Sequence, residues 1–399
     1  MEHMILQDIC KIYDCPHTTA KDEGIGIPLV RTPNVGKGRL NLMNVHRVNS
    51  DIYKQRTLRA IPEEDDIIIA REAPVGNAAI IQKGQKVCLG QRVVLLKTIK
   101  DLVDPNFLVY YLLSNEVQHQ LRNHSNGAVV AHLNVADIRN LPVNLPTLNE
   151  QKRIGRFLKK IDDKISVNKK ICENLEAQAQ ALFKHWFIDF APFKDGKFVE
   201  SELGMIPEGW RVTTIGKVCK CELGGTPSRA NKHYWGGNIA WINSGEVNKF
   251  RICQASEYIT EEGLNHSATK ILPAKTTVLA ITGATLGQVS LLEIDSCANQ
   301  SVVGITENEQ IPYTFIYPLI KSRIKELMQM QTGGAQQHIN KGNIQDMRIV
   351  LCPKPILSEY HSITQELFGQ IGNLCFENLR LSTLRNTLLP RLMSGQIKL

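Results

Sequence analysis

The chain has 399 residues, of which 43% are hydrophobic, so it is long enough to form more than one buried core. It contains no long apolar run and does not begin with a basic segment followed by an apolar one, so we expect a cytoplasmic protein without a membrane span or secretory signal. The formal net charge of +8 is a mild indication of a polyanionic partner. The ten cysteines include no CxxC pair, and Cys15 with His17 is the nearest approach to a metal site, so we expect reduced thiols and no bound metal.

The second half of the chain repeats the first in outline. The sequence "IPLVRTPNV" at 27–35 is similar to "IAWINSGEV" at 239–247. Further along, "NGAVVAHLNVADIRNLPV" at 126–143 is matched by "GGAQQHINKGNIQDMRIV" at 333–350. Because the matches keep the same order and their offset drifts slowly from 212 residues downward, they indicate an ancient duplication.

Each half combines strand-like runs with a short amphipathic helix, which predicts a mixed α/β (α+β) block. We predict strands at 65–70, 93–97, 277–282 and 301–306, and helices at 105–121 and 313–330. Pro318 is expected to kink or delay the last of these helices.

Each block is followed by a long helix. In the first helix, apolar residues alternate at spacings of four and three, and in the second helix leucines recur every seven residues, which is typical of a coiled coil. The predicted seam is Ile154, Leu158, Ile161, Ile165, Asn168, Leu175 and Leu182, together with Leu367, Leu374, Leu381 and Leu388. Two amphipathic helices in one core are the alternative, but helices of about 57 Å are too long for one block, so we expect an antiparallel pair that holds two blocks apart.

These patterns divide the chain into five segments. We predict a first block at 1–147, a central helix at 148–188, a linker at 189–205, a second block at 206–355 and a C-terminal helix at 356–399. Each block is only slightly basic, so a nucleic-acid surface must be local.

No catalytic motif is recognisable. The Walker A loop, the dinucleotide-binding GxGxxG, HExxH and GxSxG are absent, and so are the cofactor loop and Asn/Asp-Pro-Pro-aromatic tetrapeptide of a base methyltransferase. The acidic run at 62–72 suggests a metal nuclease only superficially, since solvated turn acids beside a strand explain it better. The sequence therefore predicts a non-catalytic chain that binds no cofactor itself.

Basic and polar residues in loop-like segments are candidates for DNA binding, because such side chains read base edges or bind phosphates. The candidates are Lys37, Arg39, Lys54, Arg56, Arg59 and His132 in the first block, and Arg229, Lys232, His233, Tyr234, Trp235, Gln336, Gln337 and His338 in the second. The loop with Tyr234 and Trp235 is the strongest candidate, since exposed aromatic rings beside cations are unusual without a partner. Solvated loops remain the alternative for any of these residues, and capping or packing for the histidines and glutamines.

Several of these motifs resemble the specificity subunits of type I restriction–modification enzymes, and the resemblance covers essentially the whole chain. It is carried by "LPTLNEQKRIGRFLKKIDDKI" (145–165), the pattern from Gly225 to Ile242, "GGAQQHINKGNIQDMRI" (333–349) and "LRNTLLPRLMSGQI" (384–397). The resemblance implies two target-recognition domains that each read half of a split DNA sequence, and two helices that form an antiparallel coiled coil between them. One departure is "LSEY" at 357–360, which replaces the "NEQ" that begins the first long helix.

The same resemblance implies the partners. It predicts binding to double-stranded DNA, to methyltransferase subunits (two copies expected) that use S-adenosylmethionine, and to restriction subunits driven by ATP with Mg²⁺. Two alternatives stay open at this point: a stand-alone DNA-binding protein, and a remnant of a single-chain restriction–methylation enzyme.

Overall fold

The computed structural model describes residues 4–123, 132–329 and 338–399. The chain forms two compact units, the first made of Met1–Lys164 with Leu381–Leu399 and the second of Ile165–Arg380. Each unit contains one block and a part of each of two long helices.

The first block is built on a five-stranded sheet. In chain order, the elements of the first part of the chain are β1 (Met4–Ile5), α1 (Leu6–Ile9), β2 (Cys10–Asp14), β3 (Ile27–Val30), β4 (Gly38–Arg39), β5 (Arg47–Val48), α2 (Ser50–Arg56), β6 (Ile67–Ala70), β7 (Ala78–Ile80), β8 (Cys88–Leu89), β9 (Val93–Thr98), α3 (Pro105–Leu112), α4 (Asn115–Asn123), α5 (Val135–Arg139), β10 (Pro142–Val143) and the long helix α6 (Leu148–Phe187). The main sheet has the order β2-β9-β6-β7-β4, a smaller sheet has the order β5-β3-β8, and β1 pairs with β10. Neighbours in the main sheet are antiparallel except β4 and β7, which are parallel.

The second block has a four-stranded main sheet. The remaining elements are β11 (Phe198–Ser201), β12 (Gly204–Pro207), β13 (Arg211–Thr214), α7 (Ile215–Val218), β14 (Lys220–Leu223), β15 (Trp235–Ile242), β16 (Glu257–Ile259), α8 (Glu261–Asn265), β17 (Thr277–Ala280), β18 (Val289–Leu291), β19 (Cys297–Ala298), β20 (Val302–Thr306), α9 (Tyr313–Gln329), α10 (Lys341–Gln345), β21 (Arg348–Leu351) and the long helix α11 (Lys354–Met393). The main sheet has the order β14-β20-β17-β18, the smaller sheet β16-β15-β19, and β13 pairs with β21. A hairpin of β11 and β12 occupies much of the segment around 189–205.

Equivalent strands of the two blocks pair in the same register, which confirms the duplication. Leu29 of β3 lies beside Cys88 of β8 in a parallel pair, and Trp241 of β15 lies beside Cys297 of β19 in the same way. Trp241 follows Leu29 by 212 residues, and Cys297 follows Cys88 by 209 residues. These are offsets at which the sequence repeats.

Both faces of the first main sheet are buried, because helices cover one face and the small sheet covers the other. In β6, Ile67 and Ile69 contribute to the core that includes α3 and α6, whereas Ile68 and Ala70 contribute to the core that includes β3 and β8. This alternation explains why β6 reads as a continuous apolar run.

The helix after the main sheet differs between the blocks. In the first block the predicted helix at 105–121 is two helices, α3 and α4, which separate near Ser114. In the second block α9 continues through Pro318, although proline cannot donate the hydrogen bond that a helix interior requires.

The two long helices begin differently at one buried position. Gln151 is 2% exposed, and its amide donates to the carbonyls of Leu102 and Pro146 while it accepts the N–H of Asp104. The residue 206 positions later is Leu357, which packs into the apolar core of the second block. At this spacing Pro355, Ile356 and Leu357 stand where Asn149, Glu150 and Gln151 stand in the first helix, so the second helix has an apolar residue in place of the polar anchor.

The long helices run antiparallel within each unit. In the second unit, Asn168 donates to the side chains of Glu377 at 2.8 Å and Asn378 at 3.0 Å. The Cys172 sulfur lies 3.9 Å from the Ile371 carbonyl oxygen. Later residues of α6 therefore meet earlier residues of α11.

In the first unit a buried carboxylate joins the block to both helices. Asp162 on α6 is 4% exposed and accepts hydrogen bonds from the Tyr110 hydroxyl and from Arg385 on α11, each at 2.6 Å. The α3 helix, α6 and α11 therefore meet at one carboxylate.

The buried stripe of the long helices follows the heptad pattern only in part. On α6, Ile154, Leu158, Ile161, Ile165 and Asn168 are buried, whereas Leu175 and Leu182 are half-buried. The predicted seam residues of α11, Leu367 and Leu374 in the second unit and Leu381 and Leu388 in the first, are half-buried. Beyond Cys172 the buried positions of α6 are Glu176, Ala179, Phe183 and Phe187. On α11 the buried positions in the second unit include Leu357, Tyr360, Thr364, Phe368 and Ile371. These spacings of three, four and four correspond to about 3.67 residues per turn, so the contact there lacks the period of a left-handed supercoil.

A buried arginine attaches the second block to the long helices. The Arg251 side chain is 0% exposed and donates to Glu176 on α6 at 2.7 Å and to the Tyr317 hydroxyl at 2.9 Å. Its Nε lies 3.6 Å from Glu293, and its guanidinium is 5.7 Å from the ring centre of Phe368 on α11. Burial raises the pKa of Glu176, but the charges of Arg251 and Lys321 outweigh it, so the pKa lies below its usual range.

We expect Arg251→Met to lower the free energy of unfolding of the second unit by about 3–5 kcal/mol, because it leaves two buried carboxylates short of a partner. Urea denaturation followed by tryptophan fluorescence reports on this unit, since all four tryptophans lie in it. Arg323→Met is the matched control, because its pair with Glu326 is at the surface, and it should cost less than about 1 kcal/mol. Equal losses in the two variants would contradict the role given to Arg251.

Candidate nucleic-acid interface

In the loop at 35–41, Lys37 faces solvent, whereas Arg39 binds a carboxylate within the same unit. Lys37 is exposed, and the turn ends at Gly38, whose φ of +91° favours glycine. Arg39 is half-buried, and its guanidinium pairs with Asp163 on α6. Lys37 is therefore available to a phosphate, while the charge of Arg39 is already neutralised within the unit.

The α2 helix separates an inward arginine from two outward cations. Arg56 is 7% exposed, and it donates to the Leu89 carbonyl at 2.8 Å and to the Thr18 carbonyl at 2.9 Å. Lys54 has a side chain that is 77% exposed, and Arg59 is also exposed. Arg56 therefore holds the 16–18 loop to β8, and its guanidinium already has hydrogen-bond partners within the block.

His132 belongs to an internal network. Its Nδ1 lies 2.6 Å from the Glu72 carboxylate, and its Nε2 lies 2.8 Å from Arg71. Arg71 in turn donates to the Leu133 carbonyl at 2.8 Å and pairs with Asp14 at 3.1 Å. The network fastens residues 132–133 to β2 and to the end of β6.

The first block contains a polar cleft beside the ends of β3 and β8. Its volume is about 540 Å³, and its lining includes the cationic or polar side chains of Lys21, Arg31, His46, Gln91 and Arg92. The sequence reasoning missed these residues as site residues, although Gln91 and Gln300 stand at matching places in the two repeats. Such a lining offers donors to phosphate oxygens and to base edges.

In the second block, the predicted cation and aromatic ring are partners of each other. The Arg229 guanidinium lies 3.6 Å from the ring centre of Trp235 and forms two hydrogen bonds to Glu257, at 2.7 and 2.6 Å. Trp235 is half-buried, packs edge-on against Trp241, and donates its indole N–H to the Ser228 carbonyl. The hydrogen bonds from Arg229 lower the pKa of Glu257. The aromatic–cation pair thus has an internal partner and does not by itself require a ligand.

Two neighbouring basic residues remain exposed in this loop. Lys232 and His233 are exposed in a short 3-10 turn (Lys232–Tyr234), in which the Asn231 side chain accepts the N–H of His233. Tyr234 is half-buried and stacks on His266, with ring centres 5.8 Å apart. The stacking of Tyr234 on His266 therefore supports the turn that keeps Lys232 and His233 at the surface.

The glycines before this loop are required by close approach of the backbone. A Cβ at Gly224 would lie 2.1 Å from the Asn299 carbonyl oxygen, and one at Gly225 would lie 2.5 Å from the Thr269 nitrogen. The loop backbone at Gly224 consequently packs directly against the end of β19, next to Gln300.

The last candidates lie around 336–338. Gln336 and Gln337 fall outside the described residues. His338 is exposed and forms an isolated β-bridge with Thr282. The N–H of Ile339 donates to the Ile281 carbonyl, as the N–H of Leu133 donates to the Arg71 carbonyl in the first block.

Comparison with known proteins agrees with this architecture. The family model described as the type I restriction modification DNA specificity domain matches residues 1–177 and 207–370. The chain belongs to this specificity family. It is 29% identical over 358 residues to the type I restriction enzyme MjaIX specificity subunit of Methanocaldococcus jannaschii, covering 88% of this chain and 82% of that protein.

Two further members of the specificity family are similar over most of the chain. The HindI specificity subunit of Haemophilus influenzae is 26% identical over 360 residues, covering 74% of this chain and 78% of that protein. The crystal structure of the S subunit from M. genitalium has a TM-score of 0.58 at 14% identity, covering 98% of this chain and 95% of that chain. At this identity the structural likeness concerns the fold.

The acidic run at 62–72 is engaged in ion pairs in this family member. Glu63 and Asp66 both pair with Lys97, at 2.7 and 2.8 Å, and Asp65 pairs with Lys100 at 2.9 Å. Within residues 4–123, 132–329 and 338–399, no group of three histidine, cysteine or acidic side chains could hold a metal ion. Over the same ranges, no helix is long and apolar enough to cross a membrane.

We expect Arg56→Met to destabilise the region around β8 and the 16–18 loop by about 2–4 kcal/mol, because charge-assisted hydrogen bonds to the carbonyls of Leu89 and Thr18 are lost. Amide hydrogen exchange of peptides that span 16–18 and 88–89 measures this loss. Lys54→Met, on the same helix, should leave the exchange unchanged and reduce the salt dependence of DNA binding by about one ion. Unchanged exchange in Arg56→Met would contradict the structural role.

Proposed function

We propose that the chain is the DNA specificity subunit of a type I restriction–modification complex, and that each block reads one half of a bipartite site. The observation that carries this proposal is the duplication of one block in the same strand register within a chain of the specificity family. Two copies of one framework suit the reading of two half-sites, because each copy can present its loops to its own stretch of the major or minor groove.

The loops on the two frameworks carry different chemistry, which supports different half-site sequences. The first block exposes Lys37, Lys54 and Arg59 and also contains the 540 Å³ cleft. The second block presents Lys232 and His233 on the turn before β15. Exposed lysines and arginines bind phosphates and fix the register on the duplex, whereas base reading needs side chains that reach the base edges.

The cleft of the first block supplies the better candidates for base reading. Arg31 and Gln91 line it, and arginine can pair with guanine and glutamine with adenine in the major groove. The Gln91 amide donates to the His17 carbonyl, so it would have to exchange that partner for a base. The equivalent glutamine of the second block, Gln300, is exposed and accepts a hydrogen bond from Thr226 at 2.5 Å. We therefore assign Gln91 and Gln300 equivalent positions at the two DNA contacts.

Catalysis in this proposal belongs to partner subunits. Methyltransferase subunits, with two copies expected, supply S-adenosylmethionine-dependent methylation, and restriction subunits supply ATP- and Mg²⁺-dependent cleavage. This chain contributes DNA selection and the surfaces of α6 and α11, and it binds none of these cofactors itself. The relatives named as specificity subunits of type I restriction enzymes support this division of roles.

Exchange of one block tests the proposal. When residues 206–355 are replaced by the corresponding block of a relative, we expect one half of the methylated DNA motif to change and the other half to persist, because each block reads its own half-site. Sequencing of methylated adenines in cells that carry the methyltransferase partner measures the motif. The matched exchange of residues 1–147 should change the opposite half. A change in both halves, or in neither, would refute separate reading.

The length of the long helices should set the unread spacer of the DNA motif. One heptad inserted between Ile165 and Asn168 of α6, with another between Asn378 and Leu381 of α11, lengthens the helices by about 10.5 Å and keeps their buried faces in phase. At 3.4 Å per base pair, the spacer in the methylated motif should grow by about three base pairs. The rotation of about 100° that accompanies this change should lower activity.

Methylation mapping checks this expectation, with an insertion in α6 alone as the control that breaks the antiparallel match. An active double-insertion variant with the original spacer would show that the helices do not set the distance between the half-sites.

A further inference from the structure

The carboxyl end of the small sheet is built in the same way in both blocks. In the first block, the N–H of Gly90 donates to the Val30 carbonyl at 2.7 Å. In the second block, the N–H of Asn299 donates to the Ile242 carbonyl at 2.9 Å. Each bond joins the last residue of β3 or β15 to the residue that follows β8 or β19. The residue that comes directly after β3 or β15 therefore stands at the same place in each block.

A glutamine beside each of these ends is held by an equivalent residue. The Gln91 amide donates to the His17 carbonyl. Gln300 accepts the hydroxyl group of Thr226 at 2.5 Å. His17 and Thr226 each stand three residues after the end of the first strand of their main sheet, β2 or β14. The two blocks thus share one frame at this edge, and both glutamine side chains already have a partner within it.

Two positions inside this frame differ between the blocks, and their sizes compensate each other. Arg31 of the first block corresponds to Asn243 of the second, and Gly90 corresponds to Asn299. A Cβ at Gly90 would lie 2.6 Å from the Cγ of Arg31, so the glycine leaves room for the stem of the arginine. In the second block the smaller side chain at 243 goes together with the larger one at 299. A framework that is otherwise kept has changed here as a pair.

Arg31 is fixed at its base, and its guanidinium is not fully used by the block. Its backbone N–H donates to the Asn34 side chain at 3.0 Å, and its stem packs on Gly90. Its side chain lines the 540 Å³ cleft. The Nε of Arg31 is buried and has no hydrogen-bond partner among the described residues, although buried donors are normally satisfied. The cleft therefore contains a positioned guanidinium with hydrogen-bonding capacity to spare.

A carboxylate lies close to this guanidinium. Asp22 lines the same cleft and accepts the N–H groups of Arg47 at 2.9 Å and Gly24 at 3.0 Å. These bonds, with the nearby charges of His46 and Arg31, hold the pKa of the Asp22 carboxyl below its usual range. A carboxylate repels phosphate oxygens but accepts the amino group of cytosine. The neighbourhood of Arg31 therefore suits the edge of a G·C pair better than a phosphate.

We propose, on the basis of the function proposed above, that Arg31 reads a guanine of the first half-site in the major groove. Its N–H groups donate to O6 and N7 of the guanine, and Asp22 accepts the amino group of the paired cytosine. The position that follows β3 or β15 is then the one at which this repeat changes its base preference, and the residue at 90 or 299 changes with it.

The second block does not repeat this chemistry. The Asn243 side chain accepts the N–H of Gly245 at 2.8 Å, and the backbone N–H of Asn243 donates to Glu246 at 3.3 Å. The side chain at 243 is thus short and engaged in its own turn. Position 243 consequently sets no guanine requirement in the second half-site.

Methylation mapping of the wild-type chain and of Arg31→Met, each with the methyltransferase partner, tests the assignment. Methionine keeps a stem that packs on Gly90 and removes the guanidinium. We expect one invariant G·C pair in the wild-type first half-site, and we expect discrimination at that pair to fall by about 10- to 100-fold in the variant. The second half-site should stay unchanged. Should Arg31→Met fail to fold, Arg31→Gln is measured in its place.

Lys37→Met is the matched control, because Lys37 is an exposed cation of the same block. It should lower the salt dependence of DNA binding by about one ion and keep every position of the motif. The same uniform weakening in Arg31→Met would assign Arg31 to a phosphate and overturn the inference.

The reciprocal exchange tests whether this position sets base preference. Asn243→Arg combined with Asn299→Gly should add a guanine requirement to the second half-site, because it recreates the arginine and the glycine on the equivalent frame. An active double variant with an unchanged second half-site would contradict this. If the double variant does not fold, the Arg31→Met result decides alone.

The failure of this inference is distinguishable from that of the proposed function. A methylated motif that does not depend on this chain would refute the proposed function itself. A motif that depends on the chain, yet has no invariant G·C pair in the first half-site or keeps it in Arg31→Met, would overturn only the role of Arg31.

Discussion

A buried charge at the base of each block determines how that block is built onto the long helices. In the first unit the charge is Asp162, and in the second unit it is Arg251. An unpaired charge in such a position costs several kcal/mol, so its partners must be present together. For Asp162 these partners come from α3 and α11, and for Arg251 they come from α6 and α9. The block and helices of each unit are therefore fixed by one polar centre that tolerates little displacement.

The two centres have opposite signs although the blocks are duplicates. Position 162 plus 206 residues is Phe368, so the carboxylate of the first unit is replaced by an aromatic ring in the second. There the loop residue Arg251 brings the charge from the block side, and Glu176 on α6 compensates it. The strand registers persisted while the polar contacts were exchanged. A framework that keeps its pairing in this way leaves the loops at its edge able to change with the DNA sequence that they read.

Much of the fold was predictable because it rests on local periodicity. The strands at 67–70, 93–98, 277–280 and 302–306 and the two 40-residue helices follow directly from apolar runs and regular spacing, and the duplication followed from ordered matches. The residues that are buried along the long helices could not be predicted in full from the sequence. The change from heptad spacing to spacings of three, four and four depends on which residues pack opposite, and these are distant in the chain. Leu175 and Leu182 look like seam residues in the sequence, yet Glu176 and Phe183 are the buried ones.

The candidate site was less predictable, because a loop arginine has the same appearance in a sequence whether it meets DNA or a carbonyl. The Arg56 guanidinium donates to the carbonyl of Leu89, 33 residues later in the chain, and the Arg229 guanidinium donates to the carboxylate of Glu257, 28 residues later. Only tertiary contacts separate these residues from Lys54 and Lys232, which stay exposed. The DNA contacts of the individual candidates stay predictions.

The first unit is discontinuous in the chain, and this has a consequence for biosynthesis. Leu392 is buried in the core of the first unit and Arg385 neutralises its Asp162, yet both residues are translated after the whole of Ile165–Arg380. The second unit is contiguous in the chain, so it can complete its core on the ribosome before Leu381–Leu399 is synthesised. Until then the first block lacks the end of α11 that completes its own core. Nascent chains that stop before Leu381 would therefore carry a finished second unit and an unfinished first one, in which Asp162 lacks the cation that pairs with it.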